Sequence, residues 1–162
     1  MEEKVIVRLA TGDDAGDIKK ITDEAFAVYA KNAGTGDNLA ALNETLEDII
    51  GDIENKNVFI AFSGGRAAGS LRIDIKDSTA YLSRFGVLCD FQKNGIGRAL
   101  MSSVDEHMIK SGVKQLCLHT ASKVSSLMRF YYGCGFYAES VSSDRGYLRA
   151  HLCKDYTPDG MA

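Results

Sequence analysis

The amino-acid sequence predicts one α/β domain (α+β in some classification schemes), with a mixed, mainly antiparallel sheet of about seven strands flanked by about four helices. Three observations predict it. The chain has 162 residues, 45% hydrophobic and 25% charged, which is typical of a globular domain with a real core. The apolar residues recur at helical spacing in the first third of the chain and then at strand spacing. No repeat or low-complexity linker divides the sequence, so residues 1–162 are predicted to form a single domain.

The first third of the chain predicts a short strand followed by two helices. The strand is expected at Lys4 to Arg8, and the T-x-x-D pattern of Thr11 to Asp14 is typical of a helix start. A second helix is predicted from about Leu39 to Asn55, after a loop at residues 32–37. The apolar positions of the first helix recur at three- and four-residue steps, at Ile18, Ile21, Ala25, Phe26 and Tyr29.

The rest of the chain predicts the sheet and two further helices. VFIAF, AAGSLRIDI and YLSRFGVL alternate like strands and are separated by turns at residues 63–65 and 76–78, which favours an antiparallel meander. A helix is then expected from Gly95 to Ser111, ended by Gly112. The strand QLCLHT, a short helix from Ser125 to Tyr132 and the strands FYAESV and YLRAHL complete the order.

Composition excludes several classes of protein. A net charge of −3 gives no general attraction to nucleic acid, so no nucleic-acid partner is expected. No apolar run approaches the roughly 18 residues of a membrane span, and the amino terminus lacks a signal-peptide core, so no membrane partner is expected and the cytoplasm is the predicted compartment. The scattered cysteines form no C-x-x-C pair, which predicts neither a metal site nor a disulfide scaffold; they are Cys89, Cys117, Cys134 and Cys153.

The stretch FQKNGIGRAL, residues 91–100, carries two glycines where a helix begins. Glycine weakens a helix by roughly 0.5–1 kcal/mol relative to alanine, so the pair suggests a ligand close to the main chain, with Gly97 leaving room for a phosphate. The stretch does not match the dinucleotide-binding fingerprint, because Leu100 stands at the third glycine position. It does not match a Walker A loop either, because Arg98 stands where that motif has lysine. Exposed amides at a helix start, with Lys93 and Arg98 nearby, suit a pyrophosphate; an ordinary turn is the alternative.

Two motifs together resemble the GNAT superfamily of N-acetyltransferases. The first is Q-x-x-G-x-G at Gln92 to Gly97, preceded by a strand that contains Val87. The second, about 35 residues later, is FYYGCGF at residues 130–136, similar to the family's F-Y-x-x-x-G-F. The resemblance is specific from about Tyr81 to Phe136, whereas the amino-terminal helices match only in order and length. It implies acetyl-CoA as the acetyl donor.

The resemblance also implies roles for individual residues. A main-chain amide within Val87 to Leu88 would polarise the thioester carbonyl, and Tyr131 would protonate the departing sulfur. Tyr132 is expected on another face of the helix, and a packing role for Tyr131 is the alternative. The residues implied to bind the cofactor are Phe85, Val87, Gln92, Lys93, Asn94, Gly95, Ile96, Gly97, Arg98, Ala99 and Ser125.

The sequence departs from the family pattern at two places. Val124 stands where the family often has a cofactor-contacting asparagine, so either Ser125 or Ser126 substitutes or the contact is absent. Cys89 stands where the family commonly has proline, and a small buried thiol is the expected role for it, ahead of a catalytic one. The general base stays open between His119, Glu24 and a water relay.

The resemblance implies that the acceptor is a primary amine of a small molecule, an amino acid or a peptide, and that it is bound by the first two helices and the loop at residues 142–146. In that loop Asp144 could pair with an ammonium group and Arg145 with a carboxylate, or both could belong to a solvated turn. A non-catalytic acetyl-CoA sensor and a small interaction module are the alternatives to an enzyme. A homodimer is left open.

Overall fold

The structure is a computed structural model and describes residues 4–35 and 39–156. It contains a seven-stranded sheet and four α-helices, which confirms the predicted fold class. The strands are β1 Val5–Leu9, β2 Asn57–Ser63, β3 Arg66–Lys76, β4 Thr79–Val87, β5 Gln115–Ala121, β6 Tyr137–Ser142 and β7 Arg149–Asp155. The helices are α1 Ala15–Ala33, α2 Leu46–Asn55, α3 Ile96–Lys110 and α4 Ser125–Gly133.

The sheet order is β1-β2-β3-β4-β5-β7-β6, and every neighbouring pair is antiparallel except β4 and β5. The start of α1 agrees with the T-x-x-D pattern, although a short 3₁₀ turn at Gly12–Asp14 precedes it. The Thr11 amide donates a 2.8 Å hydrogen bond to Asp14 Oδ2, and Arg8 Nη1 donates to the same oxygen over 2.7 Å. These contacts fix the turn from β1 into α1.

The prediction of one continuous second helix is wrong. Residues Ala40–Asn43 form a short 3₁₀ turn, the backbone is extended at Glu44, and α2 begins only after Thr45. A second capping box causes the break: the Thr45 hydroxyl accepts from the Asp48 amide over 3.1 Å, and the Asp48 carboxylate accepts from the Thr45 amide over 3.0 Å. The extended backbone at the break lets the Glu44 side chain reach the buried Arg72 on β3.

The sheet separates two layers of helix packing. On one side α3 presents its buried residues Leu100, Val104 and Met108 to the sheet, as the three- and four-residue spacing predicts. On the other side Ile18 of α1 and Ile49 of α2 pack against β2. Among the described helices, none combines the length and the apolar content that crossing a bilayer would require.

The feature that positions the site is the separation of β4 from β5. The two strands pair in parallel over Thr79–Tyr81 and Gln115–Cys117, and the described structure has no further pairing between them toward their carboxyl ends. The register of β4 on β3 also shifts near Arg84, whose φ of 54° is left-handed. The carboxyl-terminal half of β4 therefore leaves β5 and opens a gap in the middle of the sheet.

Candidate active site

The first of two cavities beside this gap has a volume of about 490 Å³ and lies between α1, the end of β4, the loop before α3, and α4. Eight residues predicted to bind cofactor or act in catalysis line it: Phe85, Val87, Gln92, Lys93, Gly95, Gly97, Arg98 and Tyr131. Leu88, Asn94, Ile96, Ala99 and Ser125 are not among its lining residues, whereas Ser126 is. Ile96 instead has its side chain in the core beneath α3. Of the two serines that could replace the asparagine missing at Val124, Ser126 therefore lies beside the cavity and Ser125 does not.

The loop before α3 presents main-chain amides to this cavity. Gly95 has a φ of 76°, and a β-carbon there would meet nothing within 4 Å, so the glycine is required by its left-handed backbone. The helix begins at Ile96, and the amides of a first helical turn lack intrahelical partners. With Lys93 and Arg98 on the same wall, the loop can hold an anion such as a pyrophosphate.

The structure gives a packing reason for the glycine at position 97. A β-carbon at Gly97 would lie 3.1 Å from Cζ of Phe130 on α4, tighter than ordinary van der Waals contact. The missing side chain therefore makes room for the ring of Phe130, which packs between α3 and α4. Gly97 also lines the first cavity, and the expectation that a side chain there would fill phosphate space stays a prediction.

The two amides predicted to polarise a carbonyl differ in their partners. The Leu88 amide donates a 2.9 Å hydrogen bond to the carbonyl of the buried Ala68 on β3. Successive amides along a strand point to opposite edges, so the Val87 amide faces away from β3 and toward the gap left by β5. The Val87 carbonyl accepts a long 3.4 Å contact from Gln92 Nε2, which ties the loop to the strand end.

Tyr131 lies where the two cavities meet. Its side chain is 6% exposed, and its ring makes edge contacts with Phe85, Phe130 and Phe136. Burial raises the pKa of Tyr131, so the phenol is protonated at neutral pH. Tyr132 is 49% exposed and lines neither cavity, in agreement with the prediction that the neighbouring tyrosines lie on different faces.

The second cavity has a volume of about 430 Å³ and lies across the gap from the first. The two share one wall, formed by Phe26, Tyr29, Phe85, Leu127 and Tyr131. The polar residues of the second cavity include three arginines, Arg84, Arg145 and Arg149. Its charge is therefore positive, although Glu44 contacts Arg84 over 3.3 Å and Asp144 contacts Arg149 over 3.6 Å.

The loop between β6 and β7 covers the second cavity. Arg145 lines it, while Asp144 accepts a 2.9 Å hydrogen bond from the Ser142 hydroxyl and does not line the cavity. The hydroxyl of Tyr147 lies 3.0 Å from that of Tyr29, which connects this loop to α1. Neither tyrosine is predicted as a site residue from the sequence, because no local signal links two tyrosines so far apart; Tyr29 stands out there only for its helical spacing.

Of the side chains considered as a base, His119 lines the second cavity and Glu24 lines neither cavity. His119 Nδ1 lies 2.6 Å from the Tyr81 hydroxyl, and burial together with the nearby Arg149 lowers the pKa of His119. The Glu24 carboxylate accepts a 3.1 Å hydrogen bond from the Cys89 amide, so it ties α1 to the end of β4. The Cys89 thiol is exposed, which corrects the expectation that it is buried.

Comparisons with known proteins agree with this geometry. The model of the acetyltransferase (GNAT) family matches residues 22–136. Among solved structures, the chain is similar to a PaiA N-acetyltransferase from Thermoplasma acidophilum in complex with coenzyme A, with a TM-score of 0.83, 18% identity, and coverage of 94% of this chain and 99% of that one. It is also similar to the ribosomal-protein-S18-alanine N-acetyltransferase from Escherichia coli, with a TM-score of 0.72, 18% identity, and coverage of 98% and 96%. An IAA acetyltransferase from Bacillus cereus has a TM-score of 0.69, 15% identity, and coverage of 94% and 99%.

Proposed function

Because the chain belongs to the acetyltransferase (GNAT) family, we propose that it transfers the acetyl group of acetyl-CoA to a primary amine by direct attack. One observation carries the proposal: two cavities, one with an anion-binding loop and one with a cationic lining, meet at Tyr131 and Phe85. A donor in the first cavity and an amine in the second would approach each other at this shared wall. Direct transfer requires such an approach.

The first cavity has the groups that acetyl-CoA would need. The amides that follow Gly95, together with Lys93 and Arg98, would hold the pyrophosphate. The Val87 amide, which points away from β3, would donate to the thioester oxygen as negative charge develops on it. Tyr131 would donate its proton to the departing sulfur, since the phenol is protonated at neutral pH; burial raises its pKa and makes it a weaker acid, so its contribution is expected to be modest.

The second cavity supports an amine that also carries an anionic group. Arg145 and Arg149 would pair with a carboxylate or a similar anion, and Tyr29 and Tyr147 would flank an apolar or aromatic body. A purely cationic polyamine would meet like charge there. Among the acceptors expected from the sequence, amino acids and other carboxylated amines therefore fit this cavity better than polyamines.

The test is a titration followed by an assay of turnover. Calorimetry should detect binding of acetyl-CoA and of CoA, and binding should weaken as added salt screens Lys93 and Arg98. Thiol release should then be measured with a panel that pairs each carboxylated amine with its decarboxylated analogue. Release that is faster with the carboxylated member supports the proposal. Binding without turnover across the panel would indicate a sensor, and the absence of binding would indicate an interaction module.

A further inference from the structure

A second cluster of reactive side chains lies on β5 and β7, on residues that line neither cavity. The strands are antiparallel, and their register places Cys117 directly opposite Cys153. The two sulfur atoms are 2.9 Å apart, and Nε2 of His151 lies 3.9 Å from the Cys153 sulfur. The three ligand atoms all lie within 4.8 Å of one another. Two thiols and an imidazole thus converge: His151 and Cys153 are two residues apart on β7, and Cys117 comes from β5, 36 residues earlier than Cys153.

The orientation of His151 is fixed by a carboxylate. Its Nδ1 lies 2.7 Å from Oε2 of Glu139 on β6, and the same carboxylate oxygen accepts from the Ser140 hydroxyl over 2.8 Å. If Nδ1 carries the proton and donates it to Glu139, the lone pair of the ring is on Nε2, the atom that faces the cysteines. Histidines that bind metals usually have this arrangement, in which the second ring nitrogen donates to a carboxylate.

We propose that Cys117, Cys153 and His151 form a binding site for a thiophilic divalent cation, with Zn²⁺ as the best match. Two thiolates and one imidazole are a known zinc donor set, which leaves a fourth tetrahedral position for water or for a neighbouring oxygen. Gln115 is placed to supply that oxygen, because its Oε1 lies 3.4 Å from the Cys117 sulfur. The Cys117 and Cys153 thiols would lose their protons on binding, and these pass to solvent.

The geometry needs only a small adjustment. A zinc–sulfur bond is about 2.3 Å long, so a tetrahedral site holds its two sulfur atoms roughly 3.8 Å apart. The observed 2.9 Å between the sulfur atoms would widen by rotation of one thiol about its Cα–Cβ bond.

The ion would also fix His151, whose ring stacks at 4.7 Å on His119 of the second cavity. Metal binding would therefore stiffen one side of that cavity.

The test uses the full chain with its thiols reduced and the reductant removed without air. Titration with Co²⁺ should give thiolate-to-cobalt charge-transfer absorption that saturates at one equivalent, and Zn²⁺ should abolish the signal by displacement. Cys117→Ser and Cys153→Ser should each remove the absorption. Cys89→Ser is the matched control, since this thiol is exposed and outside the cluster, and it should leave the titration unchanged.

Glu139→Gln gives a test that does not depend on replacing a buried residue. The Glu139 side chain is about half exposed, so the variant should fold, and it should weaken Zn²⁺ binding by about 10- to 100-fold. An unchanged affinity in Glu139→Gln overturns the proposal, as does a cobalt signal that survives loss of both cysteines. Absence of the signal from the reduced protein, with a Cys117–Cys153 disulfide forming on mild oxidation, also overturns it and assigns the pair to thiol oxidation. None of these outcomes depends on acetyl-CoA binding.

Discussion

Tyr131 and Tyr132 are neighbours in the sequence with opposite surroundings, and this makes them a matched pair for testing the proposed proton donor. Tyr131→Phe keeps the ring in its contacts with Phe85, Phe130 and Phe136 but removes the hydroxyl. General acid catalysis is typically worth about 10²–10⁴-fold, so kcat should fall at least tenfold while calorimetry finds acetyl-CoA affinity nearly unchanged.

Tyr132→Phe is the control for this prediction, because the Tyr132 side chain is exposed and lines neither cavity. Its kcat should stay within a factor of two or so of the parent value, since surface substitutions away from a site usually have small effects. If neither variant lowers kcat, the hydroxyl of Tyr131 has no special role. The sulfur would then be protonated from solvent, and Tyr131 would be a packing residue.

Arg145 is the residue through which the second cavity, proposed to bind the acceptor, should recognise an anion. Arg145→Ala should raise KM for a carboxylated acceptor about tenfold or more, because a hydrogen bond to a charged group contributes about 1.5–3 kcal/mol. Acetyl-CoA affinity should not change, since Arg145 lines only the second cavity. Arg129→Ala is the control: Arg129 is exposed and lines neither cavity. Steady-state kinetics in which both variants keep the parent KM would remove Arg145 from acceptor binding.

Helix α3 has a glycine with left-handed backbone at each end. Only Gly95 lines a cavity, so comparing substitutions at the two glycines distinguishes an effect on folding from an effect on binding. Gly95 has a φ of 76° and Gly112 a φ of 74°, and a β-carbon at either position would meet nothing within 4 Å. Replacing either by alanine should cost roughly 1 kcal/mol of unfolding free energy in urea denaturation, because L-residues disfavour this conformation. Gly95→Ala should also lower acetyl-CoA affinity several-fold, because Gly95 lines the first cavity.

Gly112→Ala serves as the matched control for this prediction, since it has the same backbone strain on the same helix away from both cavities. Calorimetry should find its acetyl-CoA affinity equal to that of the parent. If both variants bind acetyl-CoA equally well, the loop before α3 does not hold the cofactor.

Local signals in the sequence predicted most of the elements correctly. The change in hydrophobic spacing located the strands, and the glycine motif located the start of α3 to within one residue. The second helix was the exception, because helical spacing continues through its break. The evidence for that break was a second T-x-x-D pattern at Thr45 to Asp48, the same signal that correctly located the start of α1.

The features that the sequence could not reveal depend on pairing between distant strands. Each of Cys117 and Cys153 reads as an ordinary strand residue, and only the register of β5 on β7 brings them together. The shared wall of the cavities also depends on the tertiary structure, since β4 must leave β5 for residues of α1, β4 and α4 to meet there. The glycine motif predicted residues of the first cavity because that loop is contiguous in the sequence, whereas the second cavity is assembled from six separate parts of the chain.

At the scale of the whole molecule, a buried ion pair network attaches the segment around α2 to the sheet. Arg72 on β3 has a side chain that is 1% exposed, and its guanidinium donates to both carboxylate oxygens of Glu44 over 2.6 and 2.7 Å. It also donates to Asp52 on α2 over 2.8 Å. Glu44 in turn contacts Arg84 of the second cavity, so the network links the packing of α2 to that cavity.

Removing the Arg72 charge should therefore destabilise the fold strongly. Arg72→Met fills similar volume but leaves Glu44, whose side chain is 8% exposed, without its main partner. Breaking a buried pair in this way costs about 3–5 kcal/mol, and urea denaturation should show the loss as a lower midpoint with a similar slope. The control is Lys110→Met, which breaks a pair with Glu106 whose side chains are 75% and 71% exposed and which should cost less than about 1 kcal/mol. Similar losses in the two variants would mean that the buried network adds no more stability than a surface pair, and that apolar packing alone holds α2 on the sheet.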